Sequence, residues 1–433
     1  MRAWLLKISE PIPFTSNVNK GRTAMLADEL AARGHEVVWW VSSFDHQKKR
    51  MILPDNVETS LGPSIMARSV RGTPYRNNVS LRRYLDHGII ARKFRERAPH
   101  LLPPDVIVAA MPDHQLAWEA VAYARRRNIP IVVDIRDPWP DAILDRVPPA
   151  VAPLLRAGLF LDFRMLERTL KKADGITSMV TDWLEWGLAK AGRRQTWKDR
   201  VFYIGAPREN GILTGDVPRS LAPIFEQIRG KFVVGFISTF SQVYQPSVIV
   251  KAARLLRGSP ELRDRIAFLL AGDGQYFAAV RKEAQGLDNV FLPGWVNREE
   301  MQAIHSISSV GIVPGNLVTE AFPNKAFGYL SAGLPILTSN DGDLPRMLAE
   351  FDAGYHFERG NERQLAELIA KIAASPERRA SMAANAQRLF DEKLSAERIY
   401  VSFADHIEVV AGLRHTREHE ADGSSGVKIR CAT

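Results

Sequence analysis

The feature that most constrains this chain is an alternation of short apolar runs with amphipathic stretches, which occurs in the first half and begins again in the second. Trp4–Ile8 predicts a strand, Gly21–Arg33 a helix with Met25, Leu26 and Leu30 on one face, and Glu36–Val41 a second strand. The order returns at Asp105–Ala110, His114–Arg127 and Pro130–Asp134, with further strands expected at Gly175–Ser178 and Val201–Ile204. Strands separated by helices cannot pair as hairpins, because each helix carries the chain back and lays the next strand parallel; the expected class is α/β with doubly wound parallel sheets. After a Pro- and Gly-bearing stretch, Gly205–Arg229, strands resume at Phe232–Ile237, Ile266–Ala271, Val290–Leu292, Val310–Val313 and Pro335–Thr338, with helices through Ala252–Leu256, Glu299–Ile307 and Lys325–Ala332. The 433 residues are enough for two cores. The expected division is 1–205, a linker 206–230, a second domain 231–395, a last helix 396–413 packing back on the first domain, and a disordered polar tail 414–433.

Composition narrows the function classes. At 45% apolar and 25% charged residues the chain is an ordinary globular protein, which excludes long disorder and fibrous repeats. Its one cysteine, Cys431, excludes disulfide scaffolds, Cys-based metal sites and buried thiol catalysis, and suits a reducing compartment. The ten histidines are scattered, with His415 and His419 in the charged tail, so no metal site is expected. The N-terminal apolar run stops at Lys7, too short for a signal peptide, and Arg156, Asp162 and Arg164 interrupt the apolar stretch Val147–Leu166; a cytoplasmic protein, soluble or peripheral on a membrane, is expected. Charge is uneven: residues 1–200 hold 32 Lys and Arg against 22 Asp and Glu, residues 201–433 hold 26 against 27. A basic first half suits an anionic membrane, a phosphate-bearing acceptor or nucleic acid, but nothing resembles a nucleic-acid motif and the basic residues are not interleaved with aromatics.

Neither half carries the Gly-x-Gly-x-x-Gly turn of dinucleotide enzymes or a phosphate loop of the Gly-Lys-Ser/Thr type, which argues against a dehydrogenase or P-loop ATPase. The first turn, Glu10–Arg22, is long and polar and ends at Gly21 and Arg22, which open a helix at the carboxyl edge of the sheet, where open α/β sheets bind ligands. In the second half Pro323-Asn324-Lys325 sets a turn and a cation at a helix N-terminus, a natural place for a diphosphate. Gly272-Asp273-Gly274, Gly294-Trp295-Val296 and Gly311–Pro314 with Glu320 each follow a strand and converge on one crevice. Asp134-Ile135-Arg136-Asp137 lies at a strand end and leaves two readings open: a carboxylate that orients or deprotonates an acceptor hydroxyl, or a buried Arg136 ion pair that braces the loop. His114 is either a sugar contact or a solvated turn residue. Val147–Leu170 is either a core helix or an amphipathic helix at a membrane interface.

Taken in order, Gly272-Asp273-Gly274, Gly294-Trp295-Val296, Glu320, Pro323-Asn324-Lys325 and Ala332-Gly333-Leu334-Pro335 resemble the nucleotide-sugar domain of the GT-B fold glycosyltransferases, close to family 4 and its bacterial surface-polysaccharide branch. Gly34–Ser43 with Asp45–Lys48, and Asp134–Pro140, resemble the N-terminal motifs of that branch, so the resemblance runs from about Leu5 to about Tyr400. It implies two Rossmann-like domains facing across a cleft, and a retaining transferase that moves a sugar from a nucleoside diphosphate to a saccharide or lipid-linked acceptor at the cytoplasmic face of the membrane. Glu320, Asp137 and His114 would be catalytic. Asn324, Lys325, Ser238, Thr239, Gly272, Asp273, Gly274, Trp295 and Val296 would hold the donor, and Gly21, Arg22, Asp134 and Arg136 would shape the acceptor side.

Two departures stand out. Many family members carry a second Glu eight positions after the one matched by Glu320, and here that place is Gly328. The Arg and Lys common after the second domain's first strand are missing from Ile237–Pro246, which leaves Lys325 as the evident cation, with Ser238, Thr239 and Ser241 as neutral donors. Enzymes of this fold stabilise the departing diphosphate with helix dipoles and basic side chains, so neither an essential metal nor another cofactor is expected. The loss at Gly328 motivates one rival, a non-catalytic subunit that binds nucleotide sugar or a partner.

Overall fold

A computed structural model describes residues 1–13, 20–78, 80–144, 147–208, 217–244, 246–315 and 322–413. The proposed catalytic Glu320, part of the linker and the polar tail lie outside the described residues. The chain falls into two compact units, one formed by Met1–Phe202 together with the chain from Tyr400 onward, the other by Tyr203–Ile399.

Unit one opens with β1 (Arg2–Leu6), α1 (Arg22–Ala32) and β2 (Glu36–Ser42), followed by the hairpin β3 (Phe44–Asp45) and β4 (Arg50–Met51), then β5 (Glu58–Gly62) and β6 (Ile65–Val70). It continues through α2 (Leu81–Arg97), β7 (Val106–Ala110), α3 (His114–Arg127), β8 (Ile131–Ile135), α4 (Asp141–Leu144), α5 (Ala152–Gly158), α6 (Phe160–Lys172), β9 (Gly175–Ser178), α7 (Thr181–Ala191) and β10 (Arg200–Val201). The sheet order is β10-β9-β8-β7-β1-β2-β6-β5, parallel except for the antiparallel edge strand β5. β7 and β8 are buried at every residue, as central strands covered on both faces must be, which is why they read as unbroken apolar runs. Under β1 and β2 the core is aromatic: Trp4 stacks on Tyr123 at 5.5 Å and meets Trp40 edge-on at 5.5 Å, while Phe94 of α2 meets Trp40 at 4.8 Å.

Unit two contains α8 (Ala222–Ile228), β11 (Phe232–Ile237), α9 (Ser247–Arg257), β12 (Ile266–Ala271), α10 (Phe277–Glu283), β13 (Val290–Gly294), α11 (Arg298–Ile307), β14 (Val310–Val313) and α12 (Asn324–Ser331). β15 (Ile336–Thr338), α13 (Asp343–Phe351), β16 (Gly354–His356), α14 (Glu362–Ala373) and α15 (Pro376–Leu389) complete it. All six strands are parallel in the order β13-β12-β11-β14-β15-β16. In both sheets the strand order reverses beside the first strand, between β1 and β7 and between β11 and β14, and such a switch point opens a crevice at the carboxyl ends of the strands.

Two expectations change. The stretch 206–230 is not irregular throughout, since Pro223 lies in the first turn of α8, where a missing N–H costs nothing, and Leu221 just before that helix and Ile228 at its end belong to a buried cluster with Val233, Ala267 and Leu269. The apolar stretch 147–170 is two helices: Phe163, Leu166 and Leu170 of α6 are buried, whereas Leu154 of α5 and Phe160 and Leu161 of α6 are 77%, 57% and 74% exposed.

The final helix, α16 (Ala396–Val410), supplies unit one with a last buried face. Phe403 stacks on Phe202 at 4.4 Å, His35 pairs with Glu408 at 2.7 Å, and Arg33 reaches Asp405, Glu408 and the carbonyl of Val401. Truncating the fully buried Phe403 removes an aromatic ring and leaves a cavity, so Phe403→Ala is expected to cost about 3–5 kcal/mol, read as a lower urea midpoint.

Candidate active site

In unit two the turns after β11 and β12 are laced together. The Ser238 amide donates to the Ala271 carbonyl at 3.1 Å, Phe240 to Asp273 at 2.9 Å, Tyr276 to Phe240 at 3.0 Å and Gly272 to Gly294 at 2.7 Å. A Cβ on Gly272 would stand 1.8 Å from the Ser238 carbonyl oxygen and one on Gly274 2.7 Å from that of Phe240, and both residues have positive φ. Only glycine permits this approach. The lacing brings Ser238, Thr239 and Asp273 to one rim, with Thr239 and Asp273 exposed. Trp295, just past β13, is 73% exposed, whereas Val296 packs into the cluster around Ala303 and Ile304.

α12 begins at this rim. Pro323 precedes it without any side-chain capping bond and no acidic residue lies in its first turn, so its leading N–H groups keep the partial positive charge of a helix start. Asn324 is exposed, and the Lys325 ammonium lies 3.2 Å from the centre of the Tyr244 ring and 5.2 Å from that of Phe236. Tyr329, one residue beyond Gly328, fixes the helix to the sheet: its hydroxyl accepts from the Ile237 amide at 2.8 Å, and burial pushes its phenol up.

In unit one the carboxyl edge is dominated by buried ion pairs. Asp134, one residue from the end of β8, is fully buried; its carboxylate accepts from Arg22 at 2.9 and 3.0 Å, from Arg136 at 2.8 Å and from the Thr177 hydroxyl at 2.9 Å. Burial alone would raise its pKa, but Arg22 and Arg136 override this and hold the carboxyl far below the usual range. Of the two readings of the Asp134–Asp137 turn, the bracing ion pair is therefore the arrangement found. Asp134 has no free face with which to take a proton, and Arg22 and Arg136 serve it rather than an open acceptor loop.

Gly21 is explained by Glu10, whose carboxylate lies where a Cβ would be, 2.4 Å from it. Glu10 accepts from the amides of Thr23 and Ala24 at 2.9 and 3.2 Å and from the Thr23 hydroxyl at 2.7 Å, and it pairs with Arg136 at 2.6 Å. The start of α1 is thus filled by the protein's own anion. Asp137 is half-buried and accepts from the Trp139 indole at 3.0 Å. His114 is not a solvated turn residue: it is buried at the head of α3, with Nε2 2.7 Å from Asp162, which also accepts from Tyr84 at 3.0 Å.

Sequence reasoning misses a second buried cluster below this edge. The Lys7 ammonium donates to Asp113 at 3.1 Å, and His87 stands 3.8 Å from the same carboxylate. In the sequence Lys7 marks only the end of an apolar run and Asp113 carries no signal, because partners 106 positions apart leave no local pattern. Among the described residues no three His, Cys, Asp or Glu side chains are grouped to hold a metal ion.

The cluster has a pH signature. Burial, with Arg83, His114 and Lys7 adding to it against Asp113, lowers His87 to about 4; burial with Arg83 and Lys49 lowers His46 to about 4; burial raises Asp86 to about 7. Between pH 4 and 6.5 the unfolded chain binds two histidine protons that the fold refuses, while the fold keeps one on Asp86 that the unfolded chain releases. The two histidines therefore stabilise the fold above pH 6.5 and lose that contribution as pH falls towards 4, with Asp86 acting in the opposite sense. His87→Gln should remove one of the two histidine contributions and flatten the fall in melting temperature between pH 6.5 and 4.5 relative to wild type.

Comparison with known proteins agrees with this architecture. The family described as Glycosyltransferase Family 4 matches residues 22–190 and that described as Glycosyl transferases group 1 matches residues 223–389. Among curated proteins, spore coat protein SA of Bacillus subtilis is 25% identical over 183 residues, which is 40% of this chain and 47% of that protein, so the match spans about half of the relative's length. Among solved structures, sucrose-phosphate synthase from Thermosynechococcus elongatus superposes with a TM-score of 0.65 at 16% identity, over 95% of this chain and 100% of the other. HepE from Anabaena in complex with UDP gives 0.65 at 15% identity over 94% and 100%. WaaG, a glycosyltransferase involved in lipopolysaccharide biosynthesis, gives 0.59 at 15% over 94% and 99%. With a family 4 match in the first unit, a group 1 match in the second and the shared architecture of these structures, the chain belongs to the GT-B fold glycosyltransferases.

Proposed function

We propose that the protein is a retaining glycosyltransferase that moves a sugar from a nucleoside diphosphate to a lipid-linked saccharide acceptor, in the building of a surface polysaccharide or glycolipid. The observation that carries this is the start of α12, where Pro323 makes no side-chain capping bond and Lys325 stands beside the laced glycine turns of β11 and β12. A diphosphate placed there would meet helix N–H groups and a full positive charge, with Ser238 and Thr239 on the adjoining turn as neutral donors. The charge that develops on the departing nucleoside diphosphate is then met by protein groups alone, and neither a metal nor another cofactor is proposed. Glu320 is the proposed acid beside the donor sugar, and Asp137 and His114 are proposed to border the acceptor side. The HepE structure holds UDP, which supports a nucleotide donor.

The lipid-linked acceptor and a peripheral position on the cytoplasmic face of the membrane are proposed from unit one. Leu81 and Leu85 of α2 are 73% and 51% exposed, Phe160 and Leu161 of α6 are exposed as well, and the Tyr84–Asp162 hydrogen bond joins the two helices. Exposed Arg82, Arg156 and Arg164 accompany them. An apolar face with a basic margin suits an anionic lipid surface. No helix among the described residues is long and apolar enough to cross a membrane.

A subunit that binds nucleotide sugar without transferring it is the rival, favoured by Gly328 in place of a second carboxylate. Thermal-shift screening against UDP-, GDP-, dTDP- and CMP-linked sugars in EDTA separates the outcomes. One donor should raise the midpoint, Lys325→Ala should abolish the rise, and donor hydrolysis or transfer that disappears in Glu320→Gln distinguishes the enzyme from the binder. On vesicles, Leu81→Ser with Phe160→Ser should lower binding to anionic phospholipid several-fold while leaving the donor shift unchanged.

A further inference from the structure

In unit one the cations that are even partly buried are, with few exceptions, matched by carboxylates: Arg22 by Asp134, Arg33 by Asp405, Lys93 and Arg97 by Asp55, Arg136 by Glu10 and Arg193 by Asp199. Lys49 and Arg83 depart from this pattern. Both are half-buried and both turn to a neutral residue, Asn78: the Lys49 ammonium donates to its side-chain oxygen and Arg83 Nη1 to its backbone carbonyl at 2.7 Å. Among the described residues no carboxylate lies within ion-pair distance of either, and Arg83 Nε is buried without a hydrogen-bond partner. Two like charges held on one residue repel each other, and an unsatisfied guanidinium N–H in a half-buried place is costly.

The surroundings have matching chemistry. The Tyr75 ring lies 5.0 Å from the Lys49 ammonium, and the Tyr75 hydroxyl is 2.6 Å from His46 Nδ1. The Trp139 ring lies 5.4 Å from the Arg83 guanidinium and its indole donates to Asp137. The field of the two cations is legible at His46, which burial and then Arg83 and Lys49 keep neutral at physiological pH. Lys7 adds to that field from the end of β1, and Asp113 opposes it.

We propose that Lys49, Arg83, His46 and Tyr75, with Trp139 as a wall, form a site for a phosphate or diphosphate group carried by the acceptor. The purpose of the site rests on the transferase reading above; its ability to bind does not. An anion would supply the missing counter-charge, with a forked contact from Arg83 through Nε and a point charge from Lys49. The Trp139 face would pack against the sugar that bears the phosphate. A phosphate on a lipid and one on a soluble sugar would present the same group to this site, and the probes below tell the two sources apart.

The test follows the imidazole of His46 by NMR in histidine-labelled full-length protein, titrated with inorganic pyrophosphate, farnesyl diphosphate and uncharged farnesol. The expected result is a saturable shift at His46 with one or both diphosphates, a rise of its pKa from about 4, and no shift with farnesol. Arg83→Gln and Lys49→Gln should each weaken binding about tenfold or more, and Arg83→Lys should recover part of the loss. Response to pyrophosphate alone means that the anionic group suffices; response only to farnesyl diphosphate assigns the phosphate to a lipid. The proposal is overturned if neither diphosphate moves His46, if neither substitution weakens the effect in variants whose circular dichroism matches wild type, or if Lys325→Ala abolishes it. No turnover or donor enters the assay, so a failed transferase reading and a failed phosphate site give different results.

Discussion

The carboxyl edge of the first unit's sheet depends on one buried carboxylate. Asp134 lies one residue from the end of β8, and its oxygens hold Arg22 from α1, Arg136 from the turn that follows and Thr177 from β9. Arg22 in turn donates to the carbonyl of Phe202 and lies over the ring of Phe403, so the same charge also ties down the exit of the last strand and the final helix. A charge buried this deeply is tolerable only when its lone pairs are all engaged, and removing one partner leaves the others uncompensated. The edge is consequently stiff. Open chemistry has to lie around that knot, where Trp139, Asp137 and Arg83 are only half-buried.

Much of the architecture is legible in the sequence because its signals are local. Val106–Ala110 and Ile131–Ile135 read as strands since central parallel strands are apolar on both faces, and the Gly272-Asp273-Gly274 turn marks a close backbone approach that the structure places against Ser238 and Phe240. The failures have an equally physical basis. Pro223 looks like a breaker and is a helix starter, a difference set by where along the turn it falls. The pairing of Arg22 with Asp134 spans 112 positions, and neither residue type nor periodicity announces such a contact. For Val147–Leu170 the pattern could not divide core from surface, since one stretch supplies both through two successive helices.

The basic excess of the first half also becomes interpretable once its charges are sorted by environment. Some are spent inside the fold: Arg22, Arg136 and Arg193 each face a carboxylate at ion-pair distance. Others, such as Arg82, Arg156 and Arg164, are exposed and are screened within about 10 Å at moderate salt. Lys49 and Arg83 belong to neither group. Partial burial preserves their field, and among the described residues no carboxylate lies within ion-pair distance of either, with Asp45 and Asp113 acting only at longer range, so the two leave more field around them than a count of net charge suggests.

The two units repeat one reversal of strand order, and in each a helix opens beside that reversal with the geometry that elsewhere receives phosphate. A single side chain makes them unequal. With Glu10 lodged among the first amides of α1, the first unit carries an internal plug at its helix start, whereas Pro323 at the head of α12 supplies no side-chain cap. Duplicate folds of this kind could in principle compete for the same guest; a self-supplied anion in one of them breaks that equivalence and leaves α12 as the helix start to which the proposed nucleotide is assigned.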